Sequence, residues 1–167
     1  MRPPAPSSRL AVVVLAVYVC LPGPPRASSA QFTEAARKYV ANRVQVSAEA
    51  GKIDNAGRQA ISLSLQIEKG WHLLANPSGL PDLERYETRV TVEGKGVSAV
   101  KVVYPRGIEV EDEVLGKWKK YEGKVGIRIE LQRDGRAGEP VEIRVRHWPQ
   151  ETSKFCGIPV TKTIRVR

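Results

Sequence analysis

Cys156 carries the most reactive side chain beyond the first thirty residues of this sequence. It lies in a turn-rich loop, between Pro149 and Gly157, and alternating apolar and polar residues typical of strands flank the loop on both sides. A cysteine thiolate can attack a disulfide or bind a soft metal ion, and the nearby Lys154 and Lys162 would favour the ionised form. The opposing interpretation is an inert cysteine that packs as a small hydrophobic residue.

Two acidic residues and two histidines are the other candidates for chemistry. Asp112 and Glu113 could tune a nearby thiol or transfer a proton, or they could form an ordinary charged turn. His72 and His147 could join Cys156 in a soft metal site, but they lie far apart in sequence and lack the spacing of metal ligands. We therefore expect no metal and no cofactor. No motif indicates a hydrolase, a kinase or a zinc module.

Residues 1–30 have the pattern of a secretory signal peptide. Arg2 and Arg9 precede a short apolar run, Leu10–Leu21, and Ser28-Ser29-Ala30 offers the small residues of a cleavage site. An uncleaved anchor and a lipoprotein acylated at Cys20 are the alternatives. Cleavage would leave Cys156 as the single cysteine, which predicts a free reactive thiol or an intermolecular disulfide. We expect a periplasmic or secreted protein with no membrane span after cleavage.

The remaining chain has the length and charge of one small basic domain. Cleavage leaves 137 residues and lowers the net charge from +9 to +6, because the leader carries three arginines and no acid. Charges of both signs are mixed along the predicted strands, as on a solvated sheet face. No block of basic residues with interleaved aromatic residues is present, so we expect no binding to nucleic acid.

The periodicity predicts one short helix followed by a β-sandwich. Apolar residues recur at helical spacing over residues 31–42, which predicts a short helix or a spacer. Period-two alternation then predicts seven or eight strands in a domain spanning residues 43–167. The fold class is therefore all-β, an immunoglobulin-like antiparallel β-sandwich. The clearest predicted strands lie near residues 44–48, 61–67, 86–93, 97–104, 125–131, 141–145 and 164–166.

Three segments carry a resemblance to a known family. They are Gly70-Trp71-His72-Leu73-Leu74-Ala75-Asn76-Pro77, then Asp112-Glu113-Val114-Leu115-Gly116-Lys117 followed by Tyr121, and Cys156-Gly157-Ile158-Pro159. In this order they resemble the N-terminal periplasmic domain of the thiol:disulfide interchange protein DsbD. The resemblance covers roughly residues 45–166.

The resemblance implies an immunoglobulin-like sandwich outside the cytoplasm that exchanges disulfides with thioredoxin-like partners. In the family, two cysteines do this chemistry, and a cap loop shields them until a partner docks. The second family cysteine matches Cys156, whereas the position of the first, six residues earlier, is Gln150. The cap loop also differs, because Val114 and Leu115 stand where aromatic residues are usual.

We therefore predict a domain that contacts thioredoxin-fold or other extracytoplasmic proteins through a loop with a single cysteine. Its redox activity would be partial or vestigial. The alternative is a non-catalytic extracytoplasmic protein-binding module. Cys156 is expected within a few side-chain lengths of residues 112–115. The predicted catalytic residues are Cys156, Asp112 and Glu113, and the predicted binding residues are Val114, Leu115, Gly116, Tyr121, Trp148 and Gln150.

Overall fold

The structure, a computed structural model, describes residues 29–134, 139–151 and 157–167, with side chains from residue 34 onward. The predicted leader lies outside this part of the chain, apart from Ser29 and Ala30, which begin the helix α1. The helix α1 spans Ser29–Ala41, and a 3-10 helix spans Pro81–Tyr86. The strands are β1 Val44–Ala50, β2 Arg58–Ile67, β3 Trp71–Leu74, β4 Arg89–Glu93, β5 Val97–Val103, β6 Ile108–Asp112, β7 Gly116–Tyr121, β8 Lys124–Arg133, β9 Val141–His147, β10 Gln150–Glu151 and β11 Val160–Val166.

Two antiparallel sheets enclose the core of an immunoglobulin-like β-sandwich. The first sheet has the strand order β1-β2-β8-β5, and the second has the order β11-β9-β4. Their apolar side chains alternate with exposed ones because successive residues of a strand point to opposite faces. Ile61 of β2 and Ile129 of β8 are register partners with 0% exposure, and Ile143 of β9 is equally buried in the same core.

A third sheet, of order β10-β3-β7-β6, extends the first sheet and positions the candidate site. β3 follows β2 along the chain, and β7 precedes β8. The backbone N–H of Ile67 donates to the carbonyl oxygen of Gly123 at 2.8 Å, which links the end of β2 to the turn between β7 and β8. Leu73 and Tyr121 of this sheet are register partners and belong to the core of the sandwich.

The last turn of α1 packs on the sandwich. Val40 is buried, and the Tyr39 ring meets the Trp71 ring edge-on at a centroid distance of 6.2 Å. The Arg43 guanidinium lies 4.2 Å from the centre of the Tyr39 ring and forms an ion pair with Glu68. The described part of the chain contains no helix with the length and hydropathy of a membrane span.

The structure corrects two element predictions. The strand predicted from Tyr86 begins only at Arg89, because Pro81–Tyr86 forms a 3-10 helix with proline at its start, where the missing N–H is not needed. The described residues also contain eleven strands rather than seven or eight. The additional short strands β3, β6, β7 and β10 lack sustained alternation of apolar residues.

Candidate functional site

Gly157, the first described residue after Glu151, lies beside Gln150. A methyl group built on Gly157 would lie 3.1 Å from Gln150 Cγ, 3.2 Å from Trp148 Cβ and 2.9 Å from the carbonyl oxygen of Pro149. Only glycine avoids this crowding, so Gly157 packs directly against Trp148–Gln150. Cys156 lies outside the described residues. Its predicted proximity to residues 112–115 therefore stays a prediction.

Gln150 is buried against His72 in the third sheet. The two residues are register partners on β10 and β3, and they are 5% and 4% exposed. Neither imidazole nitrogen of His72, nor the amide oxygen of Gln150, has a hydrogen-bond partner of good geometry among the described residues, although the Gln150 side chain is near enough to act in favour of a higher His72 pKa. Burial lowers the pKa of His72, and the positive charge of Lys120 adds to the effect. His72 is therefore held as a neutral imidazole at neutral pH.

The third sheet is buried on both faces near Gln150. Its inner face contributes Leu73 and Tyr121 to the core, whereas His72 and Leu74 point to the other face. On that outer face the Trp118 ring lies 5.8 Å from the His72 ring, and Trp118 is only 5% exposed. A second buried layer, distinct from the core, therefore surrounds Gln150.

Aromatic rings and guanidinium groups stack beside this layer. The rings of Tyr86 and Trp148 meet edge-on at 5.5 Å. The guanidinium of Arg146 lies 4.8 Å from the centre of the Trp148 ring, and that of Arg85 lies 4.7 Å from the centre of the Tyr86 ring. Trp148 is largely buried, so its ring anchors the stretch between β9 and β10.

The predicted cap loop is the turn of the β6–β7 hairpin. β6 and β7 pair as far as Asp112 and Gly116, which leaves residues 113–115 in the turn. Asp112 Oδ1 accepts hydrogen bonds from the backbone N–H groups of Val114 and Leu115, both at 2.9 Å. These bonds, that from Leu115 first, hold the pKa of Asp112 below its ordinary value, so the carboxylate is ionised at neutral pH. Val114 is 90% exposed at the tip, and Glu113 is also exposed.

The hairpin tip and Gln150 belong to the same sheet but lie at different heights along its strands. Gln150 pairs with His72, and Leu73 pairs with Tyr121, so Gln150 is level with Glu122. At about 3.3 Å per residue, the six residues from Glu122 to Gly116 separate the two positions by roughly 20 Å along the strands. Shielding of Cys156 by Val114 and Leu115 stays a prediction.

Tyr121, predicted as a binding residue, is 2% exposed. Its hydroxyl donates to the carbonyl oxygen of Pro105 at 3.0 Å and accepts from the backbone N–H of Asn76 at 3.2 Å. These contacts fix the loop that follows β3. A direct contact with a partner would require the ring to leave the core.

Sequence reasoning missed the polar contacts that hold this loop. The N–H and hydroxyl of Ser78 both donate to Glu87 Oε1, at 2.7 and 2.8 Å. The N–H and hydroxyl of Thr88 both donate to the carbonyl oxygen of Leu74, at 3.0 and 2.9 Å. The one sequence feature that indicated a turn here is Asn76-Pro77-Ser78-Gly79, whose residue types favour turns.

His147 ends β9 and is completely buried. Burial, with a smaller contribution from Lys162, lowers its pKa to about 4. Neither ring nitrogen has a hydrogen-bond partner among the described residues. Within those residues, histidine, aspartate and glutamate side chains form no group of three that could hold a metal ion.

The family model described as the N-terminal part of the thiol:disulfide interchange protein DsbD matches residues 41–167, which include β1 to β11 and the Gln150 position. The chain belongs to the DsbD N-terminal family. No protein with a curated description matches it.

Three solved structures are similar to this chain. The N-terminal periplasmic domain of ScsB from Proteus mirabilis matches with 18% identity and a TM-score of 0.56, over 75% of this chain and 46% of that chain. The present chain thus spans about half of the ScsB structure. The reduced DsbD N-terminal domain of Neisseria meningitidis matches with 13% identity and a TM-score of 0.43, over 71% of this chain and 82% of that chain. The complex of the DsbD and PilB N-terminal domains from the same organism matches with 13% identity and a TM-score of 0.46, over 72% and 80%.

Proposed function

We propose that this protein is an extracytoplasmic domain of the thiol:disulfide interchange type that forms mixed disulfides through Cys156. The contact between Gly157 and Gln150 is the observation that supports this most. It joins the residue after Cys156 to Gln150, which the resemblance aligns with the first family cysteine. The signal peptide over residues 1–30 and a periplasmic or secreted location are parts of the same proposal.

The exchange needs only one thiolate from this chain. The Cys156 thiolate attacks one sulfur of the partner's disulfide, a new S–S bond forms, and the old S–S bond breaks. The leaving sulfur keeps the electron pair of the broken bond, departs as a thiolate and takes a proton from water. The Cys156 sulfur is oxidised and the leaving sulfur is reduced to the same extent, so there is no net oxidation. Gln150 has no thiol, so release requires a thiol from the partner or from a small molecule.

A thioredoxin-fold protein is the proposed partner, because disulfide exchange is the family's chemistry. The exposed tip at Val114 would contact the partner, and Leu115 would support it. Asp112 and Gly116 would keep the turn in shape, Glu113 would face the solvent, and Trp148 and Gln150 would support the Cys156 loop. In this proposal Tyr121 acts from inside the fold.

The second candidate is a non-catalytic binding module, which the glutamine at position 150 favours. A chain without its first family cysteine cannot cycle between a dithiol and a disulfide on its own. The two functions differ in the accessibility of the Cys156 sulfur, because exchange requires that a disulfide reach it.

The test is the reaction of Cys156 with 5,5′-dithiobis(2-nitrobenzoic acid) as a function of pH. A chain carrying Cys20→Ser has Cys156 as its single thiol. We expect rapid release of thionitrobenzoate from the folded protein, with an apparent pKa below the ordinary value of about 8.5. The variant that also carries Cys156→Ser is the control. Release only after unfolding would reject the exchange function and leave the binding module.

A further inference from the structure

The exposed face of the second sheet is divided by charge. Its cross-strand rows are Arg89–Arg146–Thr161, Thr91–Arg144–Thr163 and Glu93–Glu142–Arg165. At one end the acids are neutralised. Arg144 contacts Glu142 at 2.8 Å and Glu93 at 3.1 Å, and Arg165 contacts Glu142 at 3.4 Å.

At the other end the arginines have no such partners. Arg89 and Arg146 are directly opposite on β4 and β9, and Arg146 Nη2 donates to the carbonyl oxygen of Arg85 at 3.3 Å. Among the described residues, no carboxylate lies within 4.0 Å of Arg85, Arg89 or Arg146. Like charges directly opposite each other destabilise a sheet, so this row weakens the fold unless an anion binds.

Aromatic rings hold two of these guanidinium groups in place. Arg146 lies over the Trp148 ring and Arg85 over the Tyr86 ring, so their planar donor forks are oriented before any ligand arrives. Trp148 also packs against Gly157, the residue that follows Cys156. Arg146 and Gly157 therefore contact the same tryptophan.

We propose that Arg85, Arg89 and Arg146, called here the arginine row, dock a carboxylate-rich segment of the protein whose disulfide meets Cys156. This inference rests on the exchange function proposed above. Paired guanidinium donors match the two oxygens of a carboxylate. A protein segment fits better than an anionic bilayer, because the positive charge is confined to one end of the face and the neighbouring rows carry threonines and balanced charges.

The test measures binding of a fluorescein-labelled peptide with six glutamates, glycine spacers and no cysteine, by fluorescence anisotropy at low salt. The double variant Arg89→Gln/Arg146→Gln should weaken binding by about tenfold, since each exposed charge pair contributes roughly two- to fivefold. The control Lys101→Gln/Arg128→Gln removes the same charge from the first sheet, where both side chains contact Glu130. It should retain most of the affinity.

Three outcomes would overturn the proposal that the arginine row docks a carboxylate-rich segment. They are equal weakening in both double variants, no binding of the peptide by the wild type, and row-dependent binding to phosphatidylglycerol vesicles without binding to the peptide. Thermal unfolding checks the fold, and Arg89→Gln should melt at the same or a higher temperature because a like-charge contact is removed. Peptide binding is repeated in Cys156→Ser. Binding by Cys156→Ser should equal that of the wild type, because the peptide has no cysteine. A chain that keeps Cys156 and binds the peptide through the arginine row, but releases no thionitrobenzoate while folded, would reject the exchange function and keep the docking surface.

Discussion

At the scale of single residues, His147 is expected to make the stability of this protein sensitive to mild acid. Its pKa is about 4 in the folded chain, against an ordinary value of 6.5 that the unfolded chain would show. The unfolded state therefore binds the proton first as the pH falls. Stability is complete above about pH 6.5 and declines toward pH 4, by at most about 1.4 kcal/mol per pH unit.

Chemical denaturation at a series of pH values measures this decline. The variant His147→Gln removes the titrating group, so its free energy of unfolding should fall less steeply over the same range. The comparison is of slopes, because the substitution also changes stability at neutral pH. Identical slopes for the wild type and the variant would show that the pKa of His147 is not lowered in the folded chain.

The sequence identified individual site residues better than their partners. The resemblance assigned Gln150 to the position of the missing cysteine, but nothing local indicated that His72 would lie opposite it. These residues are 78 positions apart, and only strand pairing brings them together. The arginine row was missed for the same reason, since Arg89 and Arg146 meet across β4 and β9.

At the scale of elements, the β6–β7 hairpin depends on the backbone of Gly116. This residue has a φ of +74°, where a side chain is disfavoured, although a methyl group would meet no atom within 4 Å. Gly116→Ala should therefore lower the free energy of unfolding by about 1 kcal/mol through strain alone. Gly126 of β8 is the matched control, because it is equally uncrowded and lacks a positive φ.

Equilibrium unfolding of the two alanine variants gives the comparison. Gly126→Ala is expected to be neutral or slightly stabilising, since alanine has less conformational freedom to lose than glycine. Equal stability of the Gly116→Ala and Gly126→Ala proteins would mean that the turn relaxes without cost.

Strands with one face in the core were predictable, whereas β7, which is buried on both faces, was not. β2, β8 and β9 show the alternating pattern and match their predicted positions closely. In β7 the buried residues are Trp118 and Tyr121, which face opposite sides of the sheet and are three positions apart. Their spacing does not fit a half-buried strand, and the two lysines between them interrupt any alternation of apolar and polar residues.

At the scale of the whole molecule, the sandwich brings three distant parts of the sequence together. β3 contributes His72, β7 contributes Trp118, and the stretch after β9 contributes Trp148 and Gln150. Gly157 packs against that stretch. The sequence predicted this sandwich from its alternation and its family from three motifs. It could not predict the second buried layer, which exists only once the third sheet forms.

We propose that the fold keeps the geometry of a cysteine pair at positions 150 and 156, although residue 150 is a glutamine. The most direct measurement is disulfide formation in Gln150→Cys after mild oxidation of the folded protein, read as the loss of two hydrogen atoms by mass spectrometry. Every variant also carries Cys20→Ser, so that Cys156 and the introduced cysteine are the two thiols present. A disulfide needs Cα atoms about 4.4–6.8 Å apart, which the contact of Gly157 with Gln150 favours. Gln66→Cys, on an exposed position of β2, is the control that should keep both thiols free. We predict one internal disulfide in Gln150→Cys, and two free thiols after oxidation would contradict the claim.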